Sequence, residues 1–220
     1  MRPALILAAT LISTSVTAAV EGAVSGTVAV LDPIESAIQH YAHVNTYTVI
    51  VRSVKQNKKE ELRYYFKRPG FVRMEFIKPH AGAVLVFSPL TRRVRLWPFG
   101  EAHFPELNLA PNNPLILSSS GQRVDHSDVG TLFENVRALG KFGKAEVLNM
   151  SEGMNALHIV VTGFEKHTVG HVHRFELWLD ASNQFPIKVI SHDLNGEILE
   201  TVTMDSLELN VPLPESLFQP

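Results

Sequence analysis

The chain has 220 residues and a formal net charge of −2 at pH 7, and 45% of its residues are hydrophobic. That balance supports a sizeable core and argues against a general nucleic-acid binder, which would carry a clear basic excess. The sequence contains no cysteine. We therefore expect no disulfide, no thiol catalysis and no lipid anchor on an acceptor cysteine.

The first 19 residues predict an export signal. Arg2 gives a short positive end, residues 4–12 form an apolar core too short to span a bilayer, and small residues follow. A buried N-terminal helix is the alternative. Val16-Thr17-Ala18 fits a cleavage site, so the mature chain is expected to begin near Ala19. We expect a periplasmic protein whose residues 20–220 form one domain.

Two helices are predicted. Asp32 is suited to cap the first helix and Pro33 to its first position. Ser127 or Asp128 begins the second helix, which ends near Gly140. Both segments repeat apolar residues at helical spacing, which predicts one buried stripe on each: Ile34, Ile38 and Tyr41 in the first, and Val129, Leu132, Phe133, Val136 and Leu139 in the second.

Residues 62–99 predict four consecutive strands divided by Pro69, Pro79 and Pro89, because proline cannot donate to a sheet ladder. In the second of these strands one face carries Val72, Met74 and Phe76. The other face is mixed and is expected to meet solvent or a rim; it carries Phe71, Arg73, Glu75 and Ile77.

The third strand of this run, residues 83–87, is apolar on both faces, so each face needs a cover. A helix or a bound apolar ligand would serve. Which parity points inward stays open, because a one-residue change of register reverses it.

Further strands are predicted on both sides of this run, and residues 101–122 are expected to form a long surface loop. The sum is about ten antiparallel strands and two helices. The predicted fold class is mainly β: a curled antiparallel sheet, or open half-barrel, with a helical lid. The additional strands are residues 47–54, 145–149, 156–164, 171–180, 186–192 and 197–210.

Two stretches resemble a known family. The run Lys67-Arg68-Pro69-Gly70, followed by Arg73 and a strand that ends at Pro79, is similar to the signature of periplasmic lipoprotein carriers of the LolA type. The C-terminal run resembles the same superfamily in Trp178-Leu179-Asp180, Phe185-Pro186, an Asn-Gly turn and a final Leu-x-Leu-Asn. Two departures are Met74, where an aromatic residue is usual, and Phe87-Ser88-Pro89-Leu90, where an Asp-Gly turn is usual.

The resemblance implies a LolA-like half-barrel with a hydrophobic cavity that carries lipid or lipoprotein acyl chains through the periplasm. An inner-membrane transporter or an outer-membrane receptor would be the partner, and the protein is expected to be a monomer without cofactor. In the carriers an arginine that matches Arg68 takes part in transfer, so the resemblance assigns that role to Arg68. A divergent member could use the fold differently, since a shared fold is only an analogy for function.

We expect the cavity to be lined by apolar side chains of the second and third strands in this run, with the second helix as its cover. The residues expected at the ligand are Val72, Met74, Phe76, Leu85 and Phe87, together with Arg68.

Three alternatives stay open. The half-barrel could serve an envelope-stress sensor that reads a lipid or protein signal. From another class, His171 and His173 on one strand face could hold zinc in a metal-dependent hydrolase, if a third ligand reached them; surface histidines are the plainer interpretation. Arg92, Arg93 and Arg95 could bind an anionic headgroup, or simply protect a solvated edge strand.

Overall fold

The computed structural model describes residues 32–56, 58–118, 121–148 and 155–219. The predicted export signal and the expected start of the mature chain lie outside these residues. Within them, all strands belong to one sheet. The strands are β1 (Thr46–Lys55), β2 (Lys58–Lys67), β3 (Phe71–Lys78), β4 (Val84–Ser88), β5 (Arg93–Trp97), β6 (Leu107–Leu109), β7 (Gly143–Leu148), β8 (Ala156–Gly163), β9 (Arg174–Asp180), β10 (Pro186–His192) and β11 (Ile198–Leu209).

The sheet is antiparallel throughout and does not close into a barrel. Its order is β6-β5-β4-β3-β2-β1-β11-β10-β9-β8-β7, so two meanders meet where the first and last strands pair at the centre. Because neighbouring strands alternate in direction, one end of the sheet carries five of the connections: β1–β2, β3–β4, β5–β6, β8–β9 and β10–β11. We call this end the hairpin end.

Both predicted helices are confirmed. Helix α1 (Pro33–Ala42) is capped by Asp32, whose Oδ1 accepts a hydrogen bond from the backbone N–H of Ile34 at 2.9 Å. Helix α2 (Val129–Gly140) is capped by Asp128 in the same way. Their apolar stripes join the core over the concave face of the sheet. No helix in the described ranges has the length and apolar character needed to cross a membrane.

The proline-divided run forms four strands, β2 to β5, as predicted. Val72, Met74 and Phe76 face the concave core together, and in β4 the same core takes Leu85 and Phe87. Leu85 and Phe87 are therefore the inward-facing residues of β4, a choice that the sequence left open.

The outer face of β3 departs from expectation. It was predicted to meet solvent or a rim, but Phe71 and Arg73 are buried there. They lie under a C-terminal strap (residues 213–218), whose Phe218 ring centre is 5.8 Å from that of Phe71. A second apolar cluster results, which also takes Val84, Val86 and Trp97. The second cover that the apolar β4 requires is therefore this strap.

Arg73 is satisfied beneath the strap by a set of charged and carbonyl partners. Its guanidinium donates to both carboxylate oxygens of Glu101 at 2.7 and 2.8 Å, to Glu75 at 2.8 Å, and to the carbonyl oxygen of Leu217 at 3.1 Å. A buried guanidinium needs such partners, because an unpaired buried charge is costly. The strap is thus tied to β3 by hydrogen bonding as well as by apolar contact.

Residues 101–122 are more structured than predicted. They contain β6, which pairs with β5, and Ile116, which is buried in the main core. Strand β5 is therefore not an edge strand. Arg93 donates to Asn108 at 2.7 Å and Arg95 to Glu106 at 2.7 Å, so these arginines link β5 to β6.

The Glu101–Arg73 pair predicts an acid-sensitive contribution to stability. Hydrogen bonding from Arg73 holds the pKa of Glu101 below its usual range. Its contribution is present above the unfolded-state pKa and is lost as pH falls through the folded-state value. Because Glu101 is partly exposed, Glu101→Gln should lower the free energy of unfolding by only about 2 kcal/mol at pH 7.

Urea unfolding at neutral pH and near pH 3 tests this, with Glu134→Gln as control because it breaks an exposed pair with Arg137. The loss for Glu101→Gln should shrink in acid, and the control should change little at either pH. A loss of equal size at both pH values would contradict the assignment.

Candidate functional site

A large cavity lies over the concave face of the sheet. Its volume is about 1280 Å³, beyond the roughly 300–1,000 Å³ of pockets for drug-sized ligands. The floor is formed mainly by strands β1, β2, β3 and β11, and the roof by residues 115–118 and 121–128, the first two turns of α2, and the loop Val169–Val172. The cavity reaches the hairpin end of the sheet, where it meets the strand connections.

The floor changes from apolar to charged along each strand. Alternate residues of β1 face the cavity in the order Tyr47, Val49, Val51, Ser53 and Lys55, because side chains of a strand alternate between its faces. The neighbouring β2 follows the same gradient with Tyr64, Leu62, Glu60 and Lys58. An amphiphile bound here would meet apolar side chains inside and polar ones at the hairpin end.

The roof is fixed to the floor at its inner end by tyrosine hydroxyls. Tyr41 donates to Asp128 Oδ1 at 3.1 Å, the hydroxyl of Tyr64 lies 2.9 Å from Ser127 Oγ, and the backbone N–H of Val129 donates to Tyr47 at 3.4 Å. Burial raises the pKa of Tyr64 and of Tyr47 above their usual range. These hydroxyls therefore stay neutral, and the carboxylate of Asp128 lies beside them at the inner end of the cavity.

Two carboxyl groups lie between the apolar floor and the hairpin end. Burial raises the pKa of Glu60 above its usual range; Glu200 raises it further, and His80 opposes them in part. The Ser53 hydroxyl donates to Glu200 across the sheet. Both glutamates are on the cavity wall. Glu60 is one cavity-facing position further inside than Lys58, whereas Glu200 is level with Lys55, because Val54 pairs with Thr201.

The residues predicted for the ligand site fall into two groups. Met74, Phe76 and Leu85 are on the cavity wall. Val72 and Phe87 face the same side of the sheet, but they are packed inside the core and do not reach the wall. Their paired positions, directly opposite each other on β3 and β4, lie away from the hairpin end.

Arg68 lies outside the cavity, at the opposite end of β2. Its Nε donates to the carbonyl oxygen of Val44 at 2.7 Å, and its Nη2 to that of Tyr41 at 2.8 Å. The guanidinium also lies 5.3 Å from the centre of the Tyr41 ring. These contacts satisfy carbonyl groups at the end of α1 that have no partner within the helix, so the side chain fixes α1 to the sheet.

The predicted histidine pair is not formed. Strand β9 begins at Arg174, so His171 and His173 precede it in the loop and do not share a strand face; that prediction is wrong. His171 is on the cavity wall, whereas His173 Nδ1 lies 2.9 Å from the carbonyl oxygen of His167. Among the described residues no group of three or more His, Asp or Glu side chains is placed to hold a metal ion.

Much of the cavity wall was not predicted from the sequence. Alternation of Tyr47, Val49 and Val51 in β1 was a usable signal, since three apolar residues share one face there. The roof segment before α2, residues 115–118 and 121–126, gave no such signal, because it looks polar and loop-like in sequence. Val124 in that segment is nevertheless buried against the core.

Comparison with solved structures identifies the fold. An uncharacterised conserved protein from Thermus thermophilus matches with a TM-score of 0.53 at 14% identity, covering 85% of this chain and 91% of that one. MucB in complex with MucA(peri) matches with a TM-score of 0.50 at 16% identity, over 84% of this chain and 56% of MucB. A LolA superfamily protein from Nitrosomonas europaea matches with a TM-score of 0.35 at 10% identity, over 84% and 96%.

The expected fold class is confirmed: a mainly β antiparallel sheet that does not close into a barrel, with two α-helices among the described residues. At these identities the likeness concerns the fold alone, and this chain spans a little over half of MucB. No protein-family model and no curated protein matches the sequence.

The buried carboxyl of Glu60 predicts a pH-dependent gain on substitution. Because its pKa is raised from 4.5 in the folded state, the ionised group costs stability above the folded-state pKa, and the cost vanishes below the unfolded value. Glu60→Gln should therefore raise the free energy of unfolding by about 0.5–1 kcal/mol at pH 8 and leave it unchanged near pH 3.5.

Urea unfolding of Glu60→Gln and of an exposed control, Glu165→Gln, measures this. The control should show no gain at either pH. A gain for Glu60→Gln that is the same at both pH values would show that burial of its charge is not the cause.

Proposed function

We propose that this protein is a periplasmic carrier that holds an acyl chain of a lipid or lipoprotein in the cavity. The observation that carries the proposal is the apolar floor beneath an open volume of about 1280 Å³. Protein interiors are normally close-packed, so a folded core rarely leaves such a space beside Val49, Val51 and Met204. An acyl chain would fill it and gain roughly 0.8 kcal/mol for each CH₂ removed from water.

The chemistry of the wall supports binding over catalysis. The inner polar groups are neutral tyrosine hydroxyls already engaged with Ser127, Asp128 and the backbone of α2. An active site would bring together a nucleophile or metal, a base and an oxyanion donor. The described part of the wall offers mainly apolar contact. Its lysines and the carboxyl groups of Glu60 and Glu200 lie toward the hairpin end, and the carboxyl group of Asp128 at the inner end is bound by Tyr41.

Transfer of cargo is part of the proposal. The cavity reaches the hairpin end, so cargo would enter and leave there, from or to an inner-membrane transporter or an outer-membrane receptor. Export to the periplasm is proposed from the N-terminal sequence pattern. Arg68 would act in transfer only through the position of α1, because its guanidinium binds the end of that helix.

A second candidate is a sensor that reads a protein partner on the same half-barrel. The observation that favours it is the likeness to MucB, whose structure was solved with MucA(peri). A sensor could also hold a lipid, so the two functions differ in whether bound lipid moves to an acceptor.

Substitution of the cavity wall tests the carrier proposal. Phe76→Asp places a carboxylate among apolar side chains and should weaken binding of N-phenyl-1-naphthylamine at least about tenfold, because an unpaired charge in an apolar site is costly. Ile77→Asp is the matched control, since Ile77 is the next residue and its side chain is exposed on the outer face.

Fluorescence titration with displacement by palmitate gives the affinities, and circular dichroism checks folding. Met74→Trp, which occupies the cavity without adding charge, should also reduce binding. The proposal fails if folded wild-type protein does not bind the probe, or if Phe76→Asp and Ile77→Asp bind it equally.

A further inference from the structure

The β1–β2 hairpin brings three lysines to the charged end of the cavity. Lys55, Lys58 and Lys59 all contribute to the cavity wall. Lys55 and Lys58 are directly opposite each other in the β1–β2 register, on the face that carries Val51 and Leu62 further inside. We call these three residues the lysine hairpin.

Lys58 brings a second positive charge directly opposite Lys55. Like charges directly opposite on one face of a sheet repel and destabilise the pair. Across the residues that the structure describes, Lys58 and Lys59 have no ion-pair partner. By contrast, Nζ of Lys78, which is at the same end of the sheet but on its outer face, lies 3.9 Å from Oε2 of Glu61. An anion at Lys58 and Lys59 would give these two ammonium groups a partner.

Two neighbouring carboxyl groups offset part of the charge of the three lysines. Glu60 lies further inside than Lys58. Glu200 is level with Lys55, because Val54 pairs with Thr201, and it accepts a hydrogen bond from Ser53. Burial raises the pKa of Glu60 above its usual range. His80 lies on the same wall.

We propose that the lysine hairpin binds the anionic headgroup of the amphiphile whose chain occupies the cavity, so that the site selects anionic over zwitterionic or neutral lipids. The inference rests on the proposed carrier function. It assigns an orientation, with the chain toward Tyr47 and the headgroup at the hairpin, since the floor is apolar inside and cationic at the end. The headgroup chemistry is a phosphate or carboxylate held by ammonium groups.

Matched lysolipids test the selection. Wild-type protein should bind lysophosphatidylglycerol about tenfold more tightly than lysophosphatidylcholine of the same chain length at low ionic strength, with two partly exposed ion pairs as the source. The preference should decline as salt is added. Displacement of N-phenyl-1-naphthylamine gives both affinities, and a neutral monoacylglycerol of equal chain length serves as the charge-free reference.

The decisive variant is Lys58→Gln/Lys59→Gln. It should lose most of the anionic preference while binding the monoacylglycerol as wild type does. The empty variant should be at least as stable as wild type in urea, because repulsion within the hairpin is relieved. The matched control, Lys78→Gln/Lys144→Gln, removes two lysines that lie off the cavity wall and should keep the preference.

Free ligands and vesicles separate the sources of anionic charge. Glycerol 3-phosphate without an acyl chain should not displace the probe at concentrations where the lysolipid does. The inference is overturned if wild-type protein shows no preference, if the hairpin variant keeps it, or if the variant loses only cosedimentation with phosphatidylglycerol vesicles, which would indicate a membrane-docking role. If the monoacylglycerol itself fails to bind wild-type protein, the carrier function fails, and the inference falls with it.

Discussion

The cavity depends on how the N-terminus of α2 is held above the sheet. Hydroxyls of three tyrosines on α1, β1 and β2 meet the cap and first turn of this helix, and their hydrogen bonds fix its height and position. The contact is close: a Cβ at Gly130 would lie 2.8 Å from the Tyr41 ring and 2.7 Å from Asp128 Oδ1. Only glycine therefore fits, and the helix closes the inner end without filling the floor beside it.

The two faces of the sheet are covered by different means. The outer face of β3 to β5 is closed by the C-terminal strap, with Phe218 among apolar side chains and Arg73 among carboxylates. The concave face is closed by helices on one side and left as a cavity on the other. The strap already covers the apolar side chains of the outer face, so that face needs no cargo for its stability. Exchange of cargo is therefore confined to the concave face.

Local sequence patterns predicted the helices and the proline-divided strands well. Asp32, Asp128 and the three prolines act through their immediate neighbours, so their effect is visible in sequence. The cover of Phe71 was not visible, because its partner Phe218 is distant in sequence and the strap has no strand or α-helical pattern.

The site was predicted in part: period-two alternation identified Met74 and Phe76, but depth along the strand, which separates them from Val72, depends on the placement of α2. His171 was misassigned because Gly170, at φ +60°, turns the chain before β9 begins.

The central claim is that the cavity holds an amphiphile by its chain. Native mass spectrometry of protein purified from the cells that naturally make it, followed by lipid extraction, tests it most directly. The account predicts a stoichiometric adduct with the mass of an acylated molecule, released on unfolding and absent from Phe76→Asp prepared in parallel. Wild-type protein that is folded and carries no acylated species, while binding a protein partner stoichiometrically, would contradict the account and favour the sensor.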